Sequence, residues 1–582
     1  QEVTVQAVQP VVKPDISANV ANISPEDFVH MPVAGVADVV SLQAGIEPGL
    51  SVRGGGVDEL SFVVDGASMR TGRDNQPFTS ISYTSVAEMQ VQTGGFSAEY
   101  GNVRSGLINV VTKEAPRDRY TFDALVRYQP AQAKNFGGLP EDDDSYFKKQ
   151  FVPGANRSWL GESIPSDENP AFVGSAHSVW DVYERRQYGG DFVGWNTVAN
   201  QLATDEDPSN DLTPSQLVDI FQFRTRKENE ITIPDYVADV TLGGPLVPGF
   251  SDHLGDLRFL ASYRRNHTSY LFPQQREGYQ EQTGQLKVTT NFAPGAKLTL
   301  QGMLTQQRGM NEGHGGGYGA VAMYSGWMPT YPWGWVPPIL APNDERAETV
   351  FSPSAYALAN VDHVMAGGEI THTLGANTFY KARLQRMGST YRSKIPNRRD
   401  LTRNAFCVDG TADQQLRTPG RGEENVYCVD EAPFGFAGQG GNILGAGYTT
   451  GGHWVYTRDT TDVAVWTGEF DLTSQVNRFM QIKTGVDFWY NDYDIRWGAV
   501  NLALGGQAQG ERHLYNRNPI QGAVYAQNKL EFQGLIANIA VVPRADGHQA
   551  LPNITACTDP HAQALPRMLM DKCPIGPRQH PA

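Results

Sequence analysis

The strongest chemical character in the chain lies in a run from Tyr324 to Pro338, YSGWMPTYPWGWVPP. Trp327, Tyr331, Trp333 and Trp335 interleave with prolines there, a rigid aromatic platform suited to stacking on a sugar ring, a peptide or an aromatic chelator. The same rings would equally serve to pack the loop's own small core or to sit at a membrane interface. Two acidic runs, Glu141-Asp142-Asp143-Asp144 and Asp205-Glu206-Asp207, offer the oxygen ligands that calcium takes. Neither has the spaced ligands and the glycine of a calcium loop, so solvated loops are expected and no metal site is assigned. The cysteines fall as two local pairs, Cys407 with Cys428 and Cys557 with Cys573, without CxxC spacing; loops stapled by disulfides in an oxidising compartment are expected. There is no HExxH, GxSxG or Walker loop and no Cys-His grouping, and Gly313 to Gly319 is not followed by a helical pattern. No catalytic residue, cofactor or enzymatic activity is expected.

The formal net charge of -16 argues against a nucleic-acid partner, which selects a basic face. No apolar run is long enough for a transmembrane helix, but a transmembrane β-barrel alternates and never produces one. Gln1 to Val5 lacks the basic end and apolar centre of a signal peptide, so the chain reads as mature or as starting inside a longer precursor.

The elements that must hold these loops change character near Arg117. Before it, Ser24-Pro25-Glu26 is a helix start, Val36 to Leu42 a second short helix, and strand-like pieces follow at Leu50–Arg53, Leu60–Val64, Met89–Gln92 and Leu107–Thr112. After it the period is two. Tyr120, Phe122, Ala124, Val126 and Tyr128 share one face against Thr121, Asp123, Leu125 and Arg127, and the pattern returns in Leu257–Arg264, Tyr380–Gln385 and Ile482–Tyr490. One face is apolar and the other charged, as for strands between lipid and a wet lumen; a soluble sandwich also alternates. Two features favour the membrane: aromatics at strand ends, including Tyr120, Tyr128 and Trp489-Tyr490, and connections that alternate between tight turns such as Ala293-Pro294-Gly295-Ala296 and very long loops at 130–233, 309–350 and 393–460. About eleven strands can be counted up to Ile539, half of the ~22 of large plugged transporters. Half a barrel leaves edges that hydrocarbon does not tolerate, so further strands are expected elsewhere. The proline-rich stretch after Pro543 is read as an irregular tail.

Several stretches carry a family likeness: Leu50-Ser51-Val52-Arg53-Gly54-Gly55, Phe62-Val63-Val64-Asp65-Gly66, and Gly94-Gly95-Phe96-Ser97-Ala98-Glu99-Tyr100-Gly101 with Ser105-Gly106 to Lys113. With these the chain resembles the TonB-dependent outer-membrane receptors, specifically the Oar-like branch; Pro234-Asp235-Tyr236 to Pro245 resembles an early barrel hairpin of that branch. The resemblance implies a membrane all-β protein of the bacterial outer membrane: a small N-terminal α/β plug inside a large antiparallel β-barrel, of which about half is present. It implies a segment 1–20, a plug 21–117, a partial barrel 118–541 and a tail 542–582. The implied function is active uptake of a small-molecule, glycan or peptide ligand bound by loops and plug, the alternative being a surface or assembly component that keeps the barrel as an anchor. Implied partners are outer-membrane lipids, the inner-membrane TonB complex and a surface lipoprotein or other protein. Gln1 to Ala7 is similar to the TonB box, in which Glu2, Val3, Thr4, Val5, Gln6 and Ala7 would pair by strand addition. The plug glycines are expected to be scaffold, since glycine permits close approach and positive φ. Arg53 is expected to pair, with a carboxylate of the barrel wall as one candidate.

Overall fold

The computed structural model describes residues 20–24, 36–47, 50–73, 75, 77–94, 96, 100, 103–132, 139, 141–145, 148, 151–153, 156–160, 192–227, 230–247, 251–270, 276–311, 351, 357–394, 405–408, 416–417, 427–430, 441–442, 445, 449–450, 457–499, 512–532, 535–541 and 544–547. The N-terminal unit contains β1 (Val20–Ile23), α1 (Val36–Ser41), the two-residue strands β2 (Ile46–Glu47) and β3 (Ser51–Val52), β4 (Leu60–Val64), β5 (Ala67–Ser68), β6 (Val86–Gln92) and β7 (Gly106–Thr112). Its main sheet has the order β1-β6-β7-β4-β5, with β4 and β7 parallel. Every residue of β4 is buried, which is what a near-continuous apolar run such as LSFVV is suited to.

The second unit is one twisted antiparallel sheet. Its long strands are β8 (Thr121–Gln129), β9 (Asp235–Pro245), β10 (Arg258–Ser269), β11 (Gly278–Ala293), β12 (Ala296–Asn311), β13 (Ala357–Gly375) and β14 (Thr378–Lys394). Small loop strands follow: β15 (Ala405–Val408), β16 (Leu416–Arg417), β17 (Tyr427–Asp430), β18 (Gly441–Asn442) and β19 (Thr449–Thr450). The sheet resumes with β20 (Thr457–Asp459), β21 (Asp462–Asn477), β22 (Met480–Ala499), β23 (Arg512–Arg517), β24 (Ile520–Phe532), β25 (Leu535–Val541) and β26 (Arg544–Gly547). Each long strand pairs antiparallel with its sequence neighbour, β14 to β21 and β22 to β24 included.

Alternation decides which way each side chain faces. Phe122, Val126 and Tyr128 point outward, Val126 being 70% exposed, and Leu300, Leu384, Phe470, Val486 and Phe488 extend the same outer apolar belt around the sheet. On the opposite face Arg258, Arg264, Gln385 and Asp487 are buried. Two-residue turns join β11 to β12, β13 to β14 and β21 to β22 at one end, while long connections leave from the other. This is a membrane all-β architecture: a large antiparallel sheet with an apolar outside, curved around a small mixed unit.

Three expectations need correction. Arg544–Gly547 pairs with Ile520–Ala523, so sheet pairing runs past the expected start of the irregular tail; four residues suffice because only the edge has to be matched. The connection from 130 to 234 is not plain loop. It contains α2 (Asn156–Leu160), α3 (Trp195–Leu202) and α4 (Pro214–Arg224), packed through Phe151, Phe192, Trp195 and Phe221 with ring centroids 4.7–6.2 Å apart. Thr213 and Gln216 form a capping box that starts α4. Trp489 lines the interior instead of an outer girdle, because odd-numbered positions of β22 face inward.

Candidate functional site

The N-terminal unit sits against the inner face of the sheet, and the chain builds this junction from buried polar pairs. Asp239 in β9, 0% exposed, accepts from Ser82 Oγ, from the Tyr83 backbone N–H at 2.6 Å and from Thr84 Oγ1 at 2.7 Å. Glu281 in β11 accepts from Ser80 Oγ at 2.6 Å, Arg264 Nη1 at 2.9 Å and Gln307 Nε2 at 3.0 Å. Lys287 Nζ reaches Asp65 at 3.2 Å and donates to Thr112 Oγ1 at 2.7 Å, and Thr112 N donates to Asp65 Oδ1 at 2.8 Å. Arg383 in β14 donates to the Gly66 carbonyl while held by Glu369 and Glu469. Gln385 Nε2 donates to Ser68 O at 3.0 Å. Arg73, at the far end of the same plug surface, is buried in an ion pair with Asp459 and lies 4.8 Å from the Tyr391 ring centroid.

The register of the wall arranges these contacts in rows. Met303, Met365 and Met387 stand directly across from one another on β12, β13 and β14, and all three join the core of the plug. Thioethers tolerate several packings, so this row gives the plug an adaptable apolar seat. A second row sets Glu369, Arg383, Glu469 and Asp487 side by side across β13, β14, β21 and β22. Between that row and the plug lies a cavity of about 970 Å³, lined by plug residues including Arg70, Tyr100 and Arg104 and wall residues including Asp471, Asp487 and Trp489. Burial pushes the Arg70 guanidinium down to about 10, with Asp58 opposing and Arg104 adding to the shift. Burial also raises the Tyr100 hydroxyl; Arg383 pulls against it and Glu469 and Asp471 add to it, so this plug tyrosine senses the wall charges.

The plug motifs are scaffold with a wall-facing edge. Arg53 adopts φ 51° and Gly54 φ 76°, and Gly55 N donates back to Val52 O at 2.9 Å, a tight turn. Asp65 and Gly66 adopt φ 48° and 80°, which places the Gly66 carbonyl at Arg383 and leaves no room for a Cβ. Gly106 packs under Leu60 and Val52, and Gly94 lies near Arg53. Arg53 itself is exposed and makes no ion pair with a wall carboxylate among the described residues; Arg73 pairs with Asp459 instead, and in the opposite sense Lys287 of the wall reaches Asp65 of the plug. Cys407 is disulfide-bonded and its cross-strand partner in β17 is Cys428. Asp142 accepts from Leu139 N at 2.7 Å and Asp207 caps the turn at 208–210, so both acidic runs make local turns. Glu2 to Ala7, Gly95, Gly101, Trp327, Tyr331, Trp333, Trp335, Cys557 and Cys573 lie outside the described residues.

Sequence reading missed the clamp on residues 80–84 and the wall rows. The signal for the first was present: Thr79 to Ser85 is a run of hydroxyl residues around Ile81 and Tyr83, facing one acid in the apolar stretch Val237–Val240. The rows depend on register, which no single strand reveals.

Residues 1–106 match the family described as the TonB-dependent receptor plug domain. No curated protein matches the chain. Among solved structures it is similar to a ferric enterobactin receptor mutant from Pseudomonas aeruginosa in complex with enterobactin, at 10% identity, TM-score 0.45, covering 90% of this chain and 58% of that one. It is similar to the outer-membrane transporter YddB from Escherichia coli, at 10% identity and TM-score 0.45, over 90% of this chain and 56% of that one. The RagAB peptide importer in its closed-closed state matches at 12% identity and TM-score 0.45, over 91% and 55%. The chain spans a little over half the length of these receptors. With the plug match and the outer apolar belt, its place is the bacterial outer membrane.

Proposed function

We propose that the chain supplies the plug and adjoining wall of a TonB-dependent outer-membrane transporter, of the Oar-like branch. The observation that carries this reading is the junction itself. A plug-family domain is held inside an apolar-skinned sheet by polar pairs that a small rearrangement can exchange, next to a cavity large enough for a ligand. Energised uptake needs such a plug, stable at rest and able to shift when pulled. In this reading Glu2 to Ala7 is the TonB-binding strand, and Trp327, Tyr331, Trp333 and Trp335 are outer ligand contacts that deliver a small molecule, glycan or peptide to the lumen. A surface lipoprotein or other protein partner at the loop end fits the helices α2, α3 and α4 and the aromatic cluster they carry.

Thr4→Pro removes a backbone donor from the augmenting strand. The expected outcome is loss of TonB-dependent uptake at unchanged surface expression. Uptake at wild-type rate would exclude the box assignment and favour the anchoring alternative.

A further inference from the structure

The charged row that crosses the wall does not balance at its last member. Arg383 is shared by Glu369 and Glu469, and in the neighbouring row Lys381 stands opposite Asp471, which also accepts a hydrogen bond from the Tyr525 hydroxyl. Asp487 stands directly across from Glu469, and like charges so placed repel. It is 5% exposed, lines the cavity, and makes no hydrogen bond or ion pair among the described residues. Lys483 shares its face of β22 but sits four positions back, about 13 Å along a strand that rises ~3.3 Å per residue. Of the other cations that line the cavity, Arg73 pairs with Asp459, Lys287 with Asp65 and Lys297 with Glu114, while Arg70, Arg104 and Lys381 make no ion pair with Asp487 among the described residues.

A buried carboxylate without a partner is costly as an anion; it is relieved by a proton while the cavity is empty and by a cation when a ligand brings one. The surroundings indicate which kind. Trp489 follows two positions on and lines the same cavity, as does Tyr100 from the plug, which feels the charges of Glu469 and Asp471. A carboxylate beside aromatic rings recognises ammonium and guanidinium groups, the acid supplying charge and the ring faces their negative quadrupole. A metal ion fits less well: among the described residues no group of three His, Cys, Asp or Glu is placed to hold one.

We propose that Asp487 and Trp489, with Tyr100 of the plug, form a binding site for an organic cation, a protonated amine or guanidinium carried by the ligand. The proposal rests on the transport reading for how the ligand reaches the lumen, but binding itself needs no energy. The test is calorimetric titration of the purified, detergent-solubilised protein with agmatine, which carries both groups, against glycerol and citrate as neutral and anionic probes. Agmatine is expected to bind saturably and the other two not; Asp487→Asn should weaken it at least tenfold, and Trp489→Leu at least threefold, with Asp487→Glu and Trp489→Phe retaining binding. Absence of saturable agmatine binding to the wild type, or equal affinity in Asp487→Asn, overturns the proposal. Should Asp487→Asn fail to fold, the tryptophan pair decides: loss in Trp489→Leu with retention in Trp489→Phe supports the site, and equal binding by both overturns it. Thr4→Pro should keep full agmatine binding, so failure of the transport reading appears in uptake and failure of the site in the titration.

Discussion

At the scale of single residues, the junction depends on a few acids whose removal strands several donors at once. Asp239 is the clearest case: without it Ser82 Oγ, the Tyr83 N–H and Thr84 Oγ1 lose a shared acceptor in a buried place. Breaking a buried charged network of this kind costs roughly 3–5 kcal/mol. Asp239→Ala is therefore expected to lower the urea midpoint for release of the plug, read by protease cleavage between 80 and 90, while the sheet unfolds as before. An unchanged midpoint would show that the plug is not held there. Glu141, outside the sheet, is a second case. Burial pushes its carboxyl up to about 7; Asp142 adds to the shift, and Lys148 and Lys227 oppose it. Its Oε2 is buried with no hydrogen-bond partner. A carboxyl whose folded value exceeds its unfolded one, about 4.3, favours the fold in its neutral form. That stability is complete below about pH 4.3 and is lost as pH rises through about 7. Protease protection of the 139–151 segment should thus be greater at pH 5.5 than at pH 8, and Glu141→Gln should remove the difference. Equal protection in the wild type at both values would contradict the assignment.

At the scale of elements, strands were legible and their lateral relations were not. The alternation in Tyr120–Tyr128, Leu257–Arg264 and Ile482–Tyr490 gave the correct inner and outer faces, because the period of a strand is a local property. By type Trp489 suits a membrane interface, yet its odd position in β22 faces it inward. The methionine row and the charged row exist only once neighbouring strands are in register, so no motif search along the chain finds them. The helices between β8 and β9 went unread because a helical mini-core inside a long polar connection has little periodic length to detect. At the loop end, β15 and β17 bring Cys407 opposite Cys428. If this pair is the bridge, Cys407→Ala or mild reduction should raise protease sensitivity between 407 and 428 and leave the sheet intact, as detected by peptide mapping. Unchanged sensitivity would assign the Cys407 bridge to another cysteine.

At the scale of the whole molecule, β8 and β25 both run from the short-turn end toward the loop end, as the unbroken antiparallel succession between them requires. Closing the sheet on those two edges directly would make a parallel seam. Among the described strands an antiparallel closure takes an odd number of strands between β25 and β8, and an edge left open in hydrocarbon would strand a row of backbone donors and acceptors. The class of the protein is legible in the chain alone: period-two alternation separates a lipid face from a wet face, glycines mark the plug turns, and no run of the given sequence is long and apolar enough for a membrane-spanning helix. These are local consequences of backbone geometry and solvent. Only the tertiary structure decided what the plug grips and where a ligand can rest, because Asp239, Arg383 and Asp487 acquire their roles from partners a hundred or more residues away or from the strand beside them. Such meetings are fixed by register and burial, which the order of residues does not display.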